Sequence, residues 1–141
     1  MNSESDTGWL QCTLDHIAIN AVDIEAMLEF YTQVIGLQPE RVERWRAGEV
    51  LFPSVRLNAD TLIDLFPPAM WKGTSLNPQP VALNHFCITV SRVDYERIIE
   101  RLGALDAGLD PQASTRWGAH GDATSRYFND PDGNRLEIRY Y

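Results

Sequence analysis

Two stretches of the chain carry the same alternation of apolar and polar residues, and each has a histidine two residues after a leucine. The first covers residues 14–20 (LDHIAIN) and the second covers residues 83–89 (LNHFCIT). Alternation with a period of two is typical of a β-strand that buries one face. The repeat predicts that the chain contains two copies of one structural module.

Each predicted strand leads into a stretch with helical periodicity. The first helix is expected near residues 23–35, with Asp23 as N-cap and an end at Gly36. The second is expected near residues 94–102, with an end at Gly103. The apolar stripes of the two helices consist of Ile24, Met27, Leu28, Tyr31 and Ile35, and of Tyr95, Ile98, Ile99 and Leu102.

Shorter strand-like runs follow each helix, and they complete the plan of the two modules. They lie near residues 41–45, 49–57 and 61–66 in the first half, and near Leu105, residues 123–128 and residues 135–140 in the second. A turn sequence at residues 130–134 (DPDGN) opens the last hairpin. The sequence therefore predicts an α+β fold with two tandem βαβββ modules, whose curved mixed sheets carry helices on their outer faces.

The modules are assigned to residues 13–66 and 83–141. Residues 1–12 are expected to form a flexible N-terminus, and residues 67–82, rich in Pro, Gly, Ser and Asn, a linker.

Charge and composition narrow the classes of partner. The formal net charge of −8 leaves no basic stripe for phosphates, so nucleic acid is not an expected partner. No apolar run reaches the length of a membrane span, and the acidic first residues lack the features of a secretory signal, so no membrane partner is expected. The two cysteines stand far apart, which suits a cytoplasmic location.

Strand alternation also gives each module a polar face. His16 lies opposite Ile17 and Ile19, and Glu137 lies opposite Leu136 and Ile138. Imidazole nitrogens and a carboxylate suit an open site for Fe, Mn, Ni, Co or Zn. The pattern thus predicts a divalent-metal site that contains the two strand histidines, at positions 16 and 85, and Glu137. As isolated residues, the same side chains would be ordinary core or surface groups.

Four segments together resemble the vicinal-oxygen-chelate superfamily of glyoxalases, bleomycin resistance proteins and extradiol dioxygenases. They are residues 14–19 (LDHIAI), 30–37 (FYTQVIGL), 84–90 (NHFCITV) and 127–137 (YFNDPDGNRLE). The resemblance covers nearly everything after residue 12 and implies one glyoxalase-like domain overall. It implies a metal held by a histidine on each module's first strand and a carboxylate on the last, with a small-molecule substrate that presents two adjacent oxygens.

Residue by residue, the resemblance assigns the metal ligands His16, His85 and Glu137. Asp64 falls where glyoxalase I-like members carry a glutamate, and its side chain is one methylene shorter. A four-ligand site with Asp64 and a site of two histidines and one carboxylate both remain open.

The second half is also similar to the extradiol dioxygenase signature. The match comprises Gly118-Ala119-His120, Tyr127 and the segment from Asp130 to Glu137, and it departs from the signature at Arg126. It implies His120 as an acid/base group and Tyr127 as a group that orients oxygen, beside Glu137 as a catalytic residue. Independently, Arg56, Arg126 and Arg139 could anchor an anionic substrate or form surface ion pairs.

The leading hypothesis is therefore a metal-dependent enzyme, a lyase or isomerase or an extradiol-type dioxygenase. Its metal would act as a Lewis acid that stabilises an enediolate, with Glu137 or Asp64 as base, or would activate O₂ beside a catecholate. The alternative is a metal-free, bleomycin-resistance-like protein that sequesters a ligand. Many relatives build the site across a two-fold axis, so a homodimer is expected, and a site within one chain or shared between two chains remains open.

Overall fold

The computed structural model describes residues 8–9, 13–72 and 83–141, and these contain two separate four-stranded mixed sheets. The first sheet has β1 (His16–Asn20), β2 (Gln38–Glu40), β3 (Ser54–Arg56) and β4 (Leu62–Phe66). The second has β5 (Phe86–Thr89), β6 (Ser114–Gly118), β7 (Gly121–Asn129) and β8 (Arg135–Tyr140).

Both sheets have the same topology. The strand orders are β1-β4-β3-β2 and β5-β8-β7-β6, so the first strand of each module pairs with its last. That pairing is parallel in both sheets, and the remaining pairings are antiparallel. The predicted α+β fold with two related modules is confirmed.

Helical segments lie between the strands along the chain. They are α1 (Ile24–Glu29), which continues into a π-helical segment (Phe30–Ile35), α2 (Val42–Arg46), α3 (Pro68–Trp71) and α4 (Arg92–Gly103). The Asp23 carboxylate caps α1 by accepting the Ala26 N–H at 3.1 Å, as predicted. Gly36 ends the π-helical segment with φ 99°, a conformation that favours glycine.

Four short elements differ from the sequence prediction, and one of them is β2 (Gln38–Glu40), a strand that was not predicted. Residues 42–46 form α2 rather than a strand, because the run is short and its backbone amides bond to carbonyls four residues back, as in Trp45 N–H to Arg41 O at 2.9 Å. Leu105 lies in the turn after α4 and not in a strand. The unpredicted strand β6 forms where polar residues pair with β7, a partner that local sequence does not reveal.

The segment between the modules is only partly described. Its first residues include α3, where Trp71 Nε1 donates to Phe66 O at 3.1 Å and to Ala21 O at 3.2 Å, so this end packs against the first module. Residues 73–82 of the predicted linker lie outside the described residues. The same is true of residues 1–7 and 10–12 of the predicted N-terminal segment.

The two modules share a single buried core. The Tyr31 hydroxyl donates to Asp130 Oδ2 at 2.8 Å, which joins the helix of the first module to the last hairpin of the second. The Phe30 and Phe128 rings lie 6.2 Å apart in the same region. Apolar side chains of both sheets belong to this core, so the polar face of each sheet points away from it.

Among the helices of the part of the chain that the structure describes, none is both long enough and apolar enough to cross a membrane.

Candidate functional site

The first sheet places His16 beside Asp64 on its polar face. Asp64 lies opposite Ala18 on one neighbouring strand and opposite Ser54 on the other. The Ser54 hydroxyl donates to Asp64 Oδ1 at 2.6 Å, and Asp64 Oδ2 lies 3.9 Å from His16 Nε2. The His16 side chain is 51% exposed, whereas that of Asp64 is 11% exposed. We call these two residues the first pair.

The second sheet repeats the arrangement with His85 and Glu137, which we call the second pair. His85 Nε2 lies 3.2 Å from Glu137 Oε1. Glu137 faces Cys87 and Tyr127 on its neighbouring strands and is almost fully buried. The histidine and the carboxylate of the second pair are thus closer to each other and more buried than those of the first pair.

Each histidine ring is oriented by the residue that precedes it. His16 Nδ1 lies 2.7 Å from Asp15 Oδ1, and His85 Nδ1 lies 2.7 Å from Asn84 Oδ1. Because these oxygens accept hydrogen bonds, Nδ1 carries a proton in each ring, and Nε2 is the nitrogen that can coordinate a metal. Metal-binding histidines are held in this way, with one ring N–H donating to an oxygen and the other nitrogen left for the metal. This orientation was not predicted, although the adjacent Asp15 and Asn84 could have signalled it.

Glu137 is held by a buried cation. Arg139 Nη2 donates to Glu137 Oε2 at 2.7 Å, so Oε1 is left to face the histidine. Burial raises the pKa of Glu137, but hydrogen bonds from polar neighbours and the Arg139 charge outweigh it and lower the pKa overall. Glu137 is therefore an anion at neutral pH, as a metal ligand must be.

Tyr127, predicted to orient oxygen, lies beside the second pair. Its ring contacts the His85 ring edge-on with 5.2 Å between centroids. Burial and then the nearby Glu137 charge raise the pKa of its hydroxyl, so it remains a hydrogen-bond donor at neutral pH. Tyr127 can therefore touch a ligand that lies at Glu137.

His120, the predicted acid/base group, lies on the exposed turn between β6 and β7. Its backbone N–H donates to the Tyr141 hydroxyl at 3.0 Å, and that hydroxyl also accepts from Arg139 Nη1 at 3.2 Å. His120 is thus linked to Glu137 only through Tyr141 and Arg139. Among the described residues, no hydrogen bond, ion pair or ring contact joins the His120 ring to the second pair, and the ring packs edge-on against Tyr141.

The pKa of His16 in the first pair is raised. The hydrogen bond to Asp15 is the largest cause, and the charge of Asp64 adds to it. The His16 ring lies between two carboxylates, which favour its protonated form when no other cation is present.

Within one chain the structure forms two pairs and not one cluster. Among the residues described, no group of three or more His, Cys, Asp or Glu side chains is arranged to hold a metal ion. The donor types of the two pairs, imidazole and carboxylate, nevertheless suit a divalent metal. The predicted convergence of His16, His85 and Glu137 is therefore not met inside a single chain.

The three arginines predicted as possible substrate anchors are occupied elsewhere. Arg56 Nε donates to Glu40 at 2.6 Å, and Arg126 donates to two backbone carbonyls, at residues 110 and 111. Arg139 bonds to Glu137, as described above. Arg139 lies two residues after Glu137, a spacing that places both on one strand face and could have signalled the contact.

Comparison with known proteins agrees with this architecture. A family model described as Glyoxalase/Bleomycin resistance protein/Dioxygenase superfamily matches residues 13–138. Glutathione transferase FosA of Serratia marcescens is 28% identical over 129 residues, which cover 89% of this chain and 79% of that protein. Virulence protein STM3117 of Salmonella typhimurium is 24% identical over 128 residues, covering 91% and 83% of the two chains.

Solved structures give the same result for the fold. The crystal structure of the Salmonella protein has a TM-score of 0.71 at 23% identity and covers 94% of this chain and 99% of its own. A glyoxalase/dioxygenase from Nostoc punctiforme has a TM-score of 0.70 at 24% identity, covering 99% and 97%. At these identities the likeness establishes a shared fold and leaves the chemistry to the residues of this chain.

Proposed function

Because the chain belongs to the Glyoxalase/Bleomycin resistance protein/Dioxygenase superfamily, we propose that it is a divalent-metal-dependent enzyme. Its substrate is a small molecule that chelates the metal through vicinal oxygens. The metal ligands are His16, His85 and Glu137. The observation that carries the proposal is the matched orientation of the two histidines, each with Nδ1 bonded to its preceding residue and Nε2 directed at a carboxylate.

The family and the donor set agree on the cofactor class. Members of the superfamily commonly use divalent metals and bind small molecules, and they often form dimers. Two imidazoles and one carboxylate suit Fe, Mn, Ni, Co or Zn and leave positions open for substrate. When bound, such a metal supplies Lewis acidity at the substrate oxygens.

The residues of this chain supply the remaining chemistry. Glu137 presents Oε1 while Arg139 retains Oε2, so the carboxylate keeps one orientation. Tyr127 offers a neutral hydroxyl beside Glu137 for hydrogen bonding to a substrate oxygen. Asp64, bonded by Ser54 on one oxygen, has its other oxygen free to accept a proton from a carbon acid. Lyase, isomerase and dioxygenase reactions all remain compatible with these roles.

We place the complete site between two copies of the chain in a homodimer. The polar faces of the two sheets point away from the shared core, and no three-ligand group forms among the described residues of one chain. A two-fold partner can bring the first sheet of one protomer to the second sheet of the other. His16 of one chain would then join His85 and Glu137 of the next.

Metal analysis of the untagged protein, purified without chelators, tests the proposal. We expect metal to be bound, or to be restored by Fe(II), Mn(II), Ni(II), Co(II) or Zn(II), and to be lost in the Glu137→Gln variant. Glu96→Gln, an exposed carboxylate on α4, is the matched control. Protein that takes up none of the five metals would refute the proposal and favour the metal-free ligand-binding alternative.

A mixing experiment tests the shared site. His16→Ala chains and Glu137→Ala chains each lack one ligand, but a mixed dimer contains one complete set if ligands come from both chains. We expect each variant alone to fail in metal binding and the mixture to recover part of it. A mixture that forms mixed dimers by mass spectrometry but recovers no metal would contradict sharing.

A further inference from the structure

A small cavity of about 240 Å³ lies on the polar face of the first sheet, directly beside the first pair. Asp64 and Ser54 form one side of it, and the edge of the sheet forms the other. The lining residues are Glu40, Arg41, Phe52, Ser54, Arg56, Leu62 and Asp64. The cavity has two arginines, and their surroundings differ.

Arg56 is already neutralised, whereas Arg41 is not. Arg56 Nε lies 2.6 Å from Glu40 Oε1 and its Nη1 donates to two backbone carbonyls. Arg41 has no carboxylate within 4 Å of its guanidinium anywhere in residues 13–72 and 83–141. The chain has a net charge of −8, yet the Arg41 guanidinium has no acidic partner among the described residues. It is therefore available to an anionic ligand in the cavity.

The Arg41 guanidinium is nevertheless held in place. Its Nη2 donates to Phe52 O at 3.1 Å, and its Cζ lies 4.6 Å from the centroid of the Phe52 ring. The contact with the ring face is a cation–π interaction, which leaves the guanidinium edge free for hydrogen bonds. The remaining N–H donors of Arg41 are therefore presented in a fixed orientation.

The backbone at Arg41 is also unusual. Arg41 has φ 61° and ψ 20°, and it is the one non-glycine residue with positive φ in the described part of the chain. A bulky side chain adopts this conformation only where the surrounding structure enforces it, and such positions concentrate at functional sites. The strain is located where β2 ends at the edge of the cavity.

We propose that Arg41 binds an anionic group of the substrate, a carboxylate or a phosphate or phosphonate, whose other end carries the metal-chelating oxygens. The guanidinium fork suits all of these groups because it donates two parallel hydrogen bonds. Arg41 follows β2, which lies two strands away from β4 and Asp64. At about 4.8 Å per strand, the anion lies about 10 Å from the first pair.

The size and charge of the cavity restrict the substrate further. Its volume is below the range of about 300–1,000 Å³ that is usual for whole drug-sized ligands, so it accommodates one charged end and a short connecting part. Asp64 would repel an anion placed close to it, whereas Arg41 at the far side attracts it. The inference rests on the proposed function for the position of the metal-chelating end of the substrate. Binding of the anionic end to Arg41 does not itself require a metal.

Titration of the metal-stripped, full-length protein with inorganic phosphate tests the inference. Backbone amide resonances of Glu40, Arg41, Phe52 and Ser54 should shift and saturate, and methylphosphonate and acetate should shift the same amides. Glycerol, which is neutral, should not. Metal-free conditions ensure that phosphate is not captured by a metal, so this result is independent of the metal proposal.

The variants Arg41→Asn and Arg44→Asn form the matched comparison. Asparagine tolerates the left-handed backbone, and Arg44 is an exposed neighbour already paired with Glu49 at 3.3 Å. We expect Arg41→Asn to weaken phosphate binding by about tenfold or more, and Arg44→Asn to change it little, since a charged hydrogen bond is lost only in the first. Arg41→Lys, which keeps the charge without the fork, should fall between them.

Equal phosphate affinity in the native protein and a folded Arg41→Asn variant would overturn the inference, as would shifts confined to His16 and His85. If Arg41→Asn fails to fold, Arg41→Lys decides, because unchanged binding in that variant excludes a role for the fork. Loss of metal binding in the Glu137→Gln variant with phosphate binding retained would support both proposals separately.

Discussion

The second pair is enclosed by its own module, whereas the first pair lies open to solvent. His85 and Glu137 are 3.2 Å apart, and Arg139 fixes the carboxylate from behind. His16 and Asp64 are 3.9 Å apart, and the histidine is half exposed. One topology used twice has therefore produced one nearly assembled ligand pair and one unfinished pair. Both carboxylates are buried, so the difference in preorganisation comes from the exposure of the histidine and from the arginine that holds Glu137.

Removal of Arg139 should produce the largest effect on stability. Arg139→Leu leaves Glu137 as a buried anion without its cation, which costs about 3 kcal/mol in the free energy of unfolding. The lower end of the usual range applies because other polar side chains, among them Tyr127, still stabilise the Glu137 carboxylate.

Urea denaturation of Arg139→Leu is compared with that of Arg92→Leu, which removes an exposed ion pair with Glu96. The comparison measures how much more a buried ion pair contributes to stability than an exposed one. Similar losses in both variants would contradict the enclosed character of the second pair.

Replacement of Glu137 should lower metal affinity much more than replacement of Asp64. Glu137→Gln should weaken metal binding by more than about 100-fold, because it removes a ligand rather than a supporting group. Asp64→Asn should weaken it by no more than about tenfold, since Ser54 already occupies one of its oxygens. Competition with a fluorescent chelator gives both values. Equal losses would make Asp64 a fourth ligand.

Replacement of the residues that orient the histidines should lower metal affinity by less than Glu137→Gln does. Asn84→Ala and Asp15→Ala each remove the acceptor at Nδ1, and the loss of such partners lowers metal affinity by about 10–100-fold. We expect Asp15→Ala to have the larger effect, because the exposed His16 has less surrounding structure to hold its ring. The same competition assay is suitable. Unchanged affinity in both variants would remove the main support for the histidine assignments.

Alkaline pH should weaken the contact that joins the two modules. Burial and then Asp130 raise the pKa of Tyr31 well above that of free tyrosine, because the neutral hydroxyl is favoured in the folded state. A raised pKa contributes stability that is complete below pH 10 and is lost as pH rises from there towards the folded-state pKa. The loss approaches about 1.4 kcal/mol per pH unit.

Urea unfolding from pH 9 to 11 should show this loss in the native protein and a smaller one in Tyr31→Phe. The variant retains the other tyrosines, so the difference between the two curves belongs to Tyr31. Parallel curves would show that this hydroxyl does not couple the modules to pH.

Much of the fold was accessible from the sequence because its periodicities are strong. Residues 135–140 match β8 at both ends, and the predicted stripe from Ile24 to Ile35 is buried in the core. Prediction failed at residues 41–45 and at β6. In the first case a five-residue run cannot distinguish helix from strand, and in the second a polar strand exists only because β7 pairs with it.

The sequence predicted which residue types form the candidate site, but it did not predict which of them the fold brings together. The sequence placed His16 and Glu137 on polar faces, and the structure confirms those faces. The bond between Arg139 and Glu137 was not predicted, although their spacing of two residues on β8 places both side chains on one face. The local pattern did not reveal that Arg41 has no carboxylate within 4 Å among the described residues, because this depends on which groups the fold brings near it and on its positive φ.

The outward direction of the two polar faces has a consequence for abundance. If the metal site is completed only when two chains meet, the fraction of working sites follows the concentration of protein and not only that of metal. Metal would then tighten the dimer as much as the dimer tightens metal, because the two equilibria are linked. In a cell with a low concentration of this protein, most metal sites would then lack the ligands of the second chain.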